Sequence, residues 1–238
     1  MTGTARRALL LPLCGALLLA LTACGAGATS EKTVRSLAGG AEAVRARTAA
    51  ETARRDAIAA WDDDTPLTLG MVVVEDRCAG GEAQELFSSG DDRYEIRCLL
   101  YVSAYFGADP RRAADTLDGV LDAGDRETSV IPFGHDFLYA RKVVDYYRGR
   151  TGDPQGPGTG EPSELDAAGD VTLDWDQVRG AGTRRLIEEP RPCAPHAPPV
   201  RRCLREPAGA DVAALRRTYG MVFRLTFLTD GYFTVWRK

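Results

Sequence analysis

The sequence predicts an α+β fold: an antiparallel sheet with helices on one face, preceded by an N-terminal helix. Over residues 94–106 apolar side chains from Tyr94 to Phe106 occupy every second position, as in a strand with one buried face. Two segments with helical spacing follow Asp109 and Asp211, residues that can cap helices. The chain closes on two β-rich runs around Asp230-Gly231, a pair typical of a hairpin turn.

The N-terminal half of the folded part predicts two helices and two strands. Ser30 can cap a helix that Gly39-Gly40 interrupt, and residues 41–61 are strongly helical in composition. Residues 67–75 (LTLGMVVVE) indicate a buried strand before the alternating one. The helix after Asp109 has Pro110 at its first position and ends at Gly124.

The topology depends on residues 142–148 (KVVDYYR), whose residue types favour a strand, with a helix from Phe137 as the alternative. As a strand, this segment completes a ferredoxin-like βαββαβ core with extra edge strands. As a helix, it leaves the class α+β and removes that topology. Residues 151–169 and 188–208 are rich in Gly or Pro, and we predict flexible loops there, on either side of a strand at 171–176.

A two-residue turn at Asp230-Gly231 predicts that the last two strands pair with each other. Phe227 would then face Thr234, and Leu225 would face Trp236. The resulting aromatic stripe is typical of a buried core.

Four cysteines lie beyond the leader, Cys78, Cys98, Cys193 and Cys203. An even number indicates two disulfides in an oxidising compartment. Of the three pairings we favour the local one, Cys78–Cys98 with Cys193–Cys203. A zinc site is the alternative, but the sequence has no CxxC motif and two histidines in all. We expect no metal and no cofactor.

The first 25 residues indicate where the protein is held. Arg6-Arg7 precede an apolar run at residues 8–21, about 14 residues against the roughly 20 that a membrane-spanning helix needs. The run ends in Leu21-Thr22-Ala23-Cys24, which resembles the lipobox of bacterial lipoproteins. The resemblance implies that the Cys24 sulfur receives a diacylglyceryl group. Cleavage before Cys24 then makes it the first residue of the mature protein, and its free amine is open to further acylation. The alternatives are an ordinary secretory signal and twin-arginine export.

The chain thus divides into a signal peptide (1–23), a lipidated tether (24–29), an N-terminal helical segment (30–64) and a single α+β domain (65–238). Its abundance of Arg, Ala, Gly and Asp resembles proteins of actinobacterial, GC-rich genomes. A formal net charge of −4 provides no basic field for nucleic acid. We expect a protein held by its lipid on the extracytoplasmic face of the cell membrane, with an envelope protein or a cell-wall component as partner.

The sequence contains neither a GxSxG motif nor a phosphate-binding loop. This favours a non-enzymatic binding, sensing or assembly module over an enzyme. One alternative is a cell-envelope hydrolase that uses loop carboxylates, and Asp174 and Asp176 are the pair to consider. Another is a solute-binding lipoprotein. The polar cluster that could line a pocket is His135, Asp136 and Tyr139.

Peptide mapping tests the cysteine pairing. We expect tryptic peptides of the unreduced protein to be joined through Cys78–Cys98 and Cys193–Cys203, because local pairs close short loops. Mass spectrometry before and after reduction identifies the linked peptides. Free thiols or crossed pairs would contradict this pairing.

Overall fold

A computed structural model of the chain describes residues 27–82, 93–150, 160–167, 171–180, 183–192, 199–227 and 231–237. The leader with Cys24 lies outside the described residues, and so does Cys193. Among the described residues, no helix combines the length and the apolar character that crossing a bilayer requires.

The described residues form five α-helices, one short 3₁₀-helix (Pro110–Arg112) and seven strands. The helices are α1 Glu31–Ala38, α2 Ala41–Asp64, α3 Ala113–Gly124, α4 Ala140–Tyr147 and α5 Val212–Tyr219. The strands are β1 Thr68–Gly80, β2 Tyr94–Ala108, β3 Glu164–Ala167, β4 Val171–Trp175, β5 Val200–Glu206, β6 Met221–Phe227 and β7 Phe233–Trp236.

The strands form one antiparallel sheet in the order β3-β4-β6-β2-β1-β5, and β7 also pairs with β2. β1 and β2 form its centre, with a register that runs from Thr68 opposite Gly107 to Gly80 opposite Ile96. The class is therefore α+β, as predicted.

The two faces of the central strands differ in what covers them. Even-numbered residues such as Val74 and Val102 pack into the main core against α2, α3 and α4. That core includes Trp61 of α2, whose ring meets Phe133 edge-on at a centroid distance of 6.0 Å. Odd-numbered residues face the opposite side, where α5 covers only one end, over Met71 and other buried side chains. The rest of this second face carries mostly polar side chains, such as Glu75, Arg77 and Ser103.

The capping predictions are confirmed. The Ser30 hydroxyl accepts a hydrogen bond from the Thr33 backbone N–H at 3.2 Å, and Asp109 accepts one from Arg111 at 2.9 Å. Asp211 caps α5 in the same way, and Gly220 follows that helix with a φ of 98°. Glycine adopts this left-handed conformation without a steric penalty.

The strand prediction for residues 142–148 is wrong, because this segment belongs to α4. Ala140, Val143 and Val144 are buried in the main core, and their spacing places them on one helical face. Burial of this face outweighs the strand preference of the two valines and the tyrosines. The structure does not confirm the ferredoxin-like βαββαβ core.

The predicted terminal hairpin is also absent from the described residues. β6 and β7 both run antiparallel to β2, with Phe227 opposite Val102 and Phe233 opposite Cys98. β2 is long enough to pair with the two strands end to end, so the chain continues along β2 after Gly231 instead of reversing. Phe227 is buried, whereas Trp236 is 62% exposed.

The two predicted loops each contain a strand. β3 lies within residues 151–169, and β5 lies within residues 188–208 and pairs with the edge of β1. The alternation of β5 is hidden in the sequence because arginines occupy both of its faces, at positions 201, 202 and 205.

The Cys78–Cys98 disulfide is confirmed. The two cysteines are direct cross-strand partners on β1 and β2, and both are fully buried. Cys203 is also disulfide-bonded, whereas Cys193, its predicted partner, lies outside the described residues.

Candidate functional site

A polar groove lies on the face of the sheet that α5 leaves open. It encloses about 370 Å³, within the range of small-molecule sites. β1, β2 and β5 supply its floor, and residues 190–192 form one rim. Its lining residues are Val73, Glu75, Arg77, Tyr101, Ser103, Tyr105, Pro190, Arg191, Pro192 and Arg201.

Strand register brings the charged residues of the groove together. Glu75 is opposite Tyr101 on β2 and opposite Cys203 on β5. Two residues further along β1, Arg77 is opposite Arg201 on β5. Side chains alternate between the two faces of each strand. The odd-numbered residues of the three strands therefore lie side by side on one surface.

The Glu75 carboxylate forms ion pairs with both Arg77 and Arg201. Partial burial raises the pKa of Glu75, but the hydrogen bonds and charges of the two guanidinium groups outweigh burial and hold this pKa below its usual value. Glu75 is therefore ionised at neutral pH. A general acid needs the opposite shift.

Two arginines of the groove keep hydrogen-bonding capacity. Arg77 binds Glu75 through Nε and lies over the Tyr101 ring, 5.2 Å from its centroid. Its terminal nitrogens have no hydrogen-bond partner among the described residues. Arg191 is exposed on the rim and has no ion pair or hydrogen bond within the part of the chain that the structure describes.

The segment that forms the rim is fastened by a buried carboxylate. Asp176 is 1% exposed and accepts hydrogen bonds from the backbone N–H groups of Ile187 (2.7 Å) and Val222 (2.9 Å). Arg216 of α5 donates to both oxygens of Asp176 and to the carbonyl of Ile187. Asp176 thus links the chain before the rim to both α5 and β6.

The other buried carboxylates are held in the same way. Asp174 binds Arg224 at 2.7 Å and Arg185 at 3.2 Å. Asp76 accepts from Arg47 of α2 at 2.5 Å and from the Tyr232 hydroxyl at 2.7 Å. Burial and the adjacent Asp76 raise the pKa of Tyr232, so its hydroxyl remains a donor. These carboxylates join elements of the fold.

His135 lies in an ion-pair network between α3 and the loop that follows it. Its Nδ1 is 2.6 Å from Asp125 Oδ2, and its Nε2 is 3.2 Å from Asp118 Oδ1. Arg148 also binds Asp118, at 2.5 Å. Ligand atoms of Asp122, Asp125 and His135 lie within 4.8 Å of one another, but both ring nitrogens are already used by carboxylates. The arrangement is that of a salt bridge that connects secondary-structure elements.

The other two residues of the predicted pocket have separate partners. The Asp136 side chain is 99% exposed and binds Arg141 at 3.0 Å. The Tyr139 hydroxyl is 3.5 Å from the backbone oxygen of Glu164 on β3. His135, Asp136 and Tyr139 therefore point to three different neighbours.

The sequence contains one partial signal for the groove. Ser103 lies on the polar face of the strand whose apolar residues alternate, whereas the predicted buried strand at residues 67–75 ends at Glu75 and leaves Arg77 outside it. Their convergence requires β5, which the sequence placed in a loop.

A comparison with protein-family models, curated protein sequences and solved structures found no match to the chain.

The His135 network predicts a pH-dependent contribution to stability. Hydrogen bonds and charges from Asp125 and Asp118 outweigh burial and raise the pKa of His135 above 6.5. A raised folded-state pKa stabilises the fold below the unfolded pKa, and this contribution is lost as the pH rises through the folded value. His135→Gln should therefore reduce the free energy of unfolding more at about pH 5.5 than at about pH 8.5.

Urea denaturation at the two pH values measures this difference. Asp125→Asn is the matched variant, since it leaves the imidazole and removes the first partner that raises its pKa. It should reduce the pH dependence as His135→Gln does. An equal loss of stability at both pH values would contradict the assignment.

Proposed function

We propose that this chain is a lipid-anchored protein of the extracytoplasmic membrane face whose folded part is a binding module. It takes an envelope protein or a cell-wall component in the groove of β1, β2 and β5. The observation that carries the proposal is the open groove, with Arg77 available on β1 and Arg191 available on the rim.

Support for the location comes from two features of the chain. Residues 21–24 resemble a lipobox, whose cysteine would carry the lipid. Cys78–Cys98 is a fully buried disulfide, and Cys203 is disulfide-bonded too. Stable structural disulfides are typical of proteins outside the cytoplasm.

Support for binding over hydrolysis comes from the state of the carboxylates. Glu75, the carboxylate that lines the groove, is doubly paired with arginines and ionised. Asp174 and Asp176, the pair considered for a hydrolase, are buried and bound by Arg224 and Arg216. A glycosidase needs one protonated and one ionised carboxyl group on either side of a substrate.

A small soluble ligand is a second candidate for the same groove. Its volume of about 370 Å³ lies at the lower end of the range of ligand sites. The solute-binding alternative therefore shares this site with the envelope partner.

Cys24→Ala tests the anchor. Without the Cys24 sulfur there is no thioether to form, so we expect an unprocessed precursor without lipid. Membrane fractionation and intact mass measure both properties. Cys14→Ala is the matched control, since Cys14 lies within the apolar run and leaves with the leader; this variant should be processed and anchored. Normally processed, membrane-bound Cys24→Ala would refute the lipobox assignment.

A crosslinker placed in the groove tests recognition in intact cells. Photo-crosslinkable benzoylphenylalanine in place of Pro192, on the rim, should form one reproducible adduct. The same group in place of Lys142, which is exposed on α4 on the opposite side of the sheet, should not. Digestion of the cell wall before electrophoresis separates a wall adduct from a protein adduct. The absence of an adduct at position 192, or equal adducts at both positions, would contradict recognition through the groove.

A further inference from the structure

The charge in the groove is opposite in sign to that of the whole chain. Three guanidinium groups, those of Arg77, Arg191 and Arg201, face one carboxylate, that of Glu75. The formal net charge of the chain is −4. Glu189, which precedes the rim in sequence, accepts a hydrogen bond from the Ala213 N–H at 3.0 Å, and its charge also acts on Tyr105 of the groove. The charges of Arg224 and Arg205 oppose it there. The groove is therefore a local site of positive potential.

Arg77, one of the groove arginines, is oriented before any ligand arrives. Glu75 holds the Nε of Arg77, and the Tyr101 ring lies against its guanidinium group. The side chain nevertheless remains 39% exposed. Two contacts on a planar group fix the direction of its remaining N–H donors, which reduces the entropy lost on binding.

The neighbouring groups add donors around the same space. The hydroxyl of Ser103 lines the groove beside Tyr101, and Arg191 faces it from the rim. Arg205 lines an adjoining cavity that shares Val73, Glu75 and Arg191 with the groove. Guanidinium and hydroxyl donors around a cavity of this size match the acceptor oxygens of carboxylate and phosphate groups.

We infer that the groove binds an oxoanion, a carboxylate or a phosphate group, either on a small ligand or at the end of a larger one. This inference rests on the proposed function and states the ligand chemistry of the same site. Arg77 and Arg191 hold the oxygens, and Ser103 donates a further hydrogen bond. Glu75 keeps Arg77 oriented, and its own negative charge weakens the binding of the anion.

Calorimetric titration of the purified full-length mature protein in a non-ionic detergent tests this inference. The probes are inorganic phosphate and succinate at low ionic strength, with chloride as the reference anion. We expect at least one of the two to bind with a dissociation constant of about 1 mM or below. Phosphate alone would identify a phosphate-bearing ligand, and succinate alone would identify a carboxylate-bearing one; either result supports the inference.

Charge-matched variants separate the groove from general electrostatics. Arg77→Gln combined with Arg191→Gln should weaken binding by about tenfold, because the two groups that contact the oxygens are lost. Arg111→Gln combined with Arg112→Gln removes the same charge from exposed positions beyond the far end of β2 and should change affinity by less than about twofold. Circular dichroism verifies that each variant is folded.

Glu75→Gln provides a result in the opposite direction. The amide oxygen of Gln can still accept the hydrogen bond from Arg77 Nε, so Arg77 stays oriented. Loss of the competing charge should then strengthen binding by about threefold, a gain that damage to the fold would not produce. No binding of either anion, equal weakening by both arginine pairs, or unchanged or weaker binding by Glu75→Gln would overturn the inference. The crosslink at position 192 would still be observed if only the oxoanion chemistry were wrong, so the two failures are distinguishable.

Discussion

β1 and β2 run antiparallel over almost their whole lengths, and the Cys78–Cys98 disulfide locks this register across a buried pair. Every other strand contact is added to these two strands, directly or through β6. The ladder also determines which side chains meet the helices and which remain open, because a strand alternates its faces with a period of two. The pairing of β1 with β2 therefore determines both which side chains enter the core and which line the groove.

Arginine has two different structural roles on the two sides of the sheet. On the helix side Arg47 neutralises the buried Asp76 and connects α2 to β1. A buried carboxylate left without such a partner would destabilise the fold strongly. In the groove, the terminal nitrogens of Arg77 and the guanidinium group of Arg191 have no hydrogen-bond partner among the described residues, so cationic groups remain next to solvent. Such cationic groups are typical of a surface that recognises anions.

Local signals predicted a large part of the fold and almost none of the site. The caps at Ser30, Asp109 and Asp211 and the alternation of β2 were visible because they depend on near neighbours in sequence. α4 was missed because its residue types favour a strand, whereas burial of one helical face in the core determines its structure. β5 was missed because arginines occupy both of its faces. The groove requires β5 in register with β1, a contact between residues more than a hundred positions apart, and no short motif encodes it. His135 was visible as an isolated histidine, but its role as a salt-bridge partner depends on carboxylates of α3.

The bulge at the start of β1 has a consequence for the identity of the groove. Leu69 is opposite Phe106 and Met71 is opposite Tyr105, so Gly70 is an additional residue in the ladder. A Cβ at Gly70 would lie 2.0 Å from the Leu215 side chain, so a residue without a side chain suits this position. At the bulge, Gly70 and Met71 together are opposite one residue of β2, so odd positions face the main core before the bulge and even positions face it afterwards. If Gly70 instead paired regularly with β2, Glu75 and Arg77 would face α2 and Asp76 would face the solvent. The irregular pairing at Gly70 therefore determines which side chains of β1 form the groove.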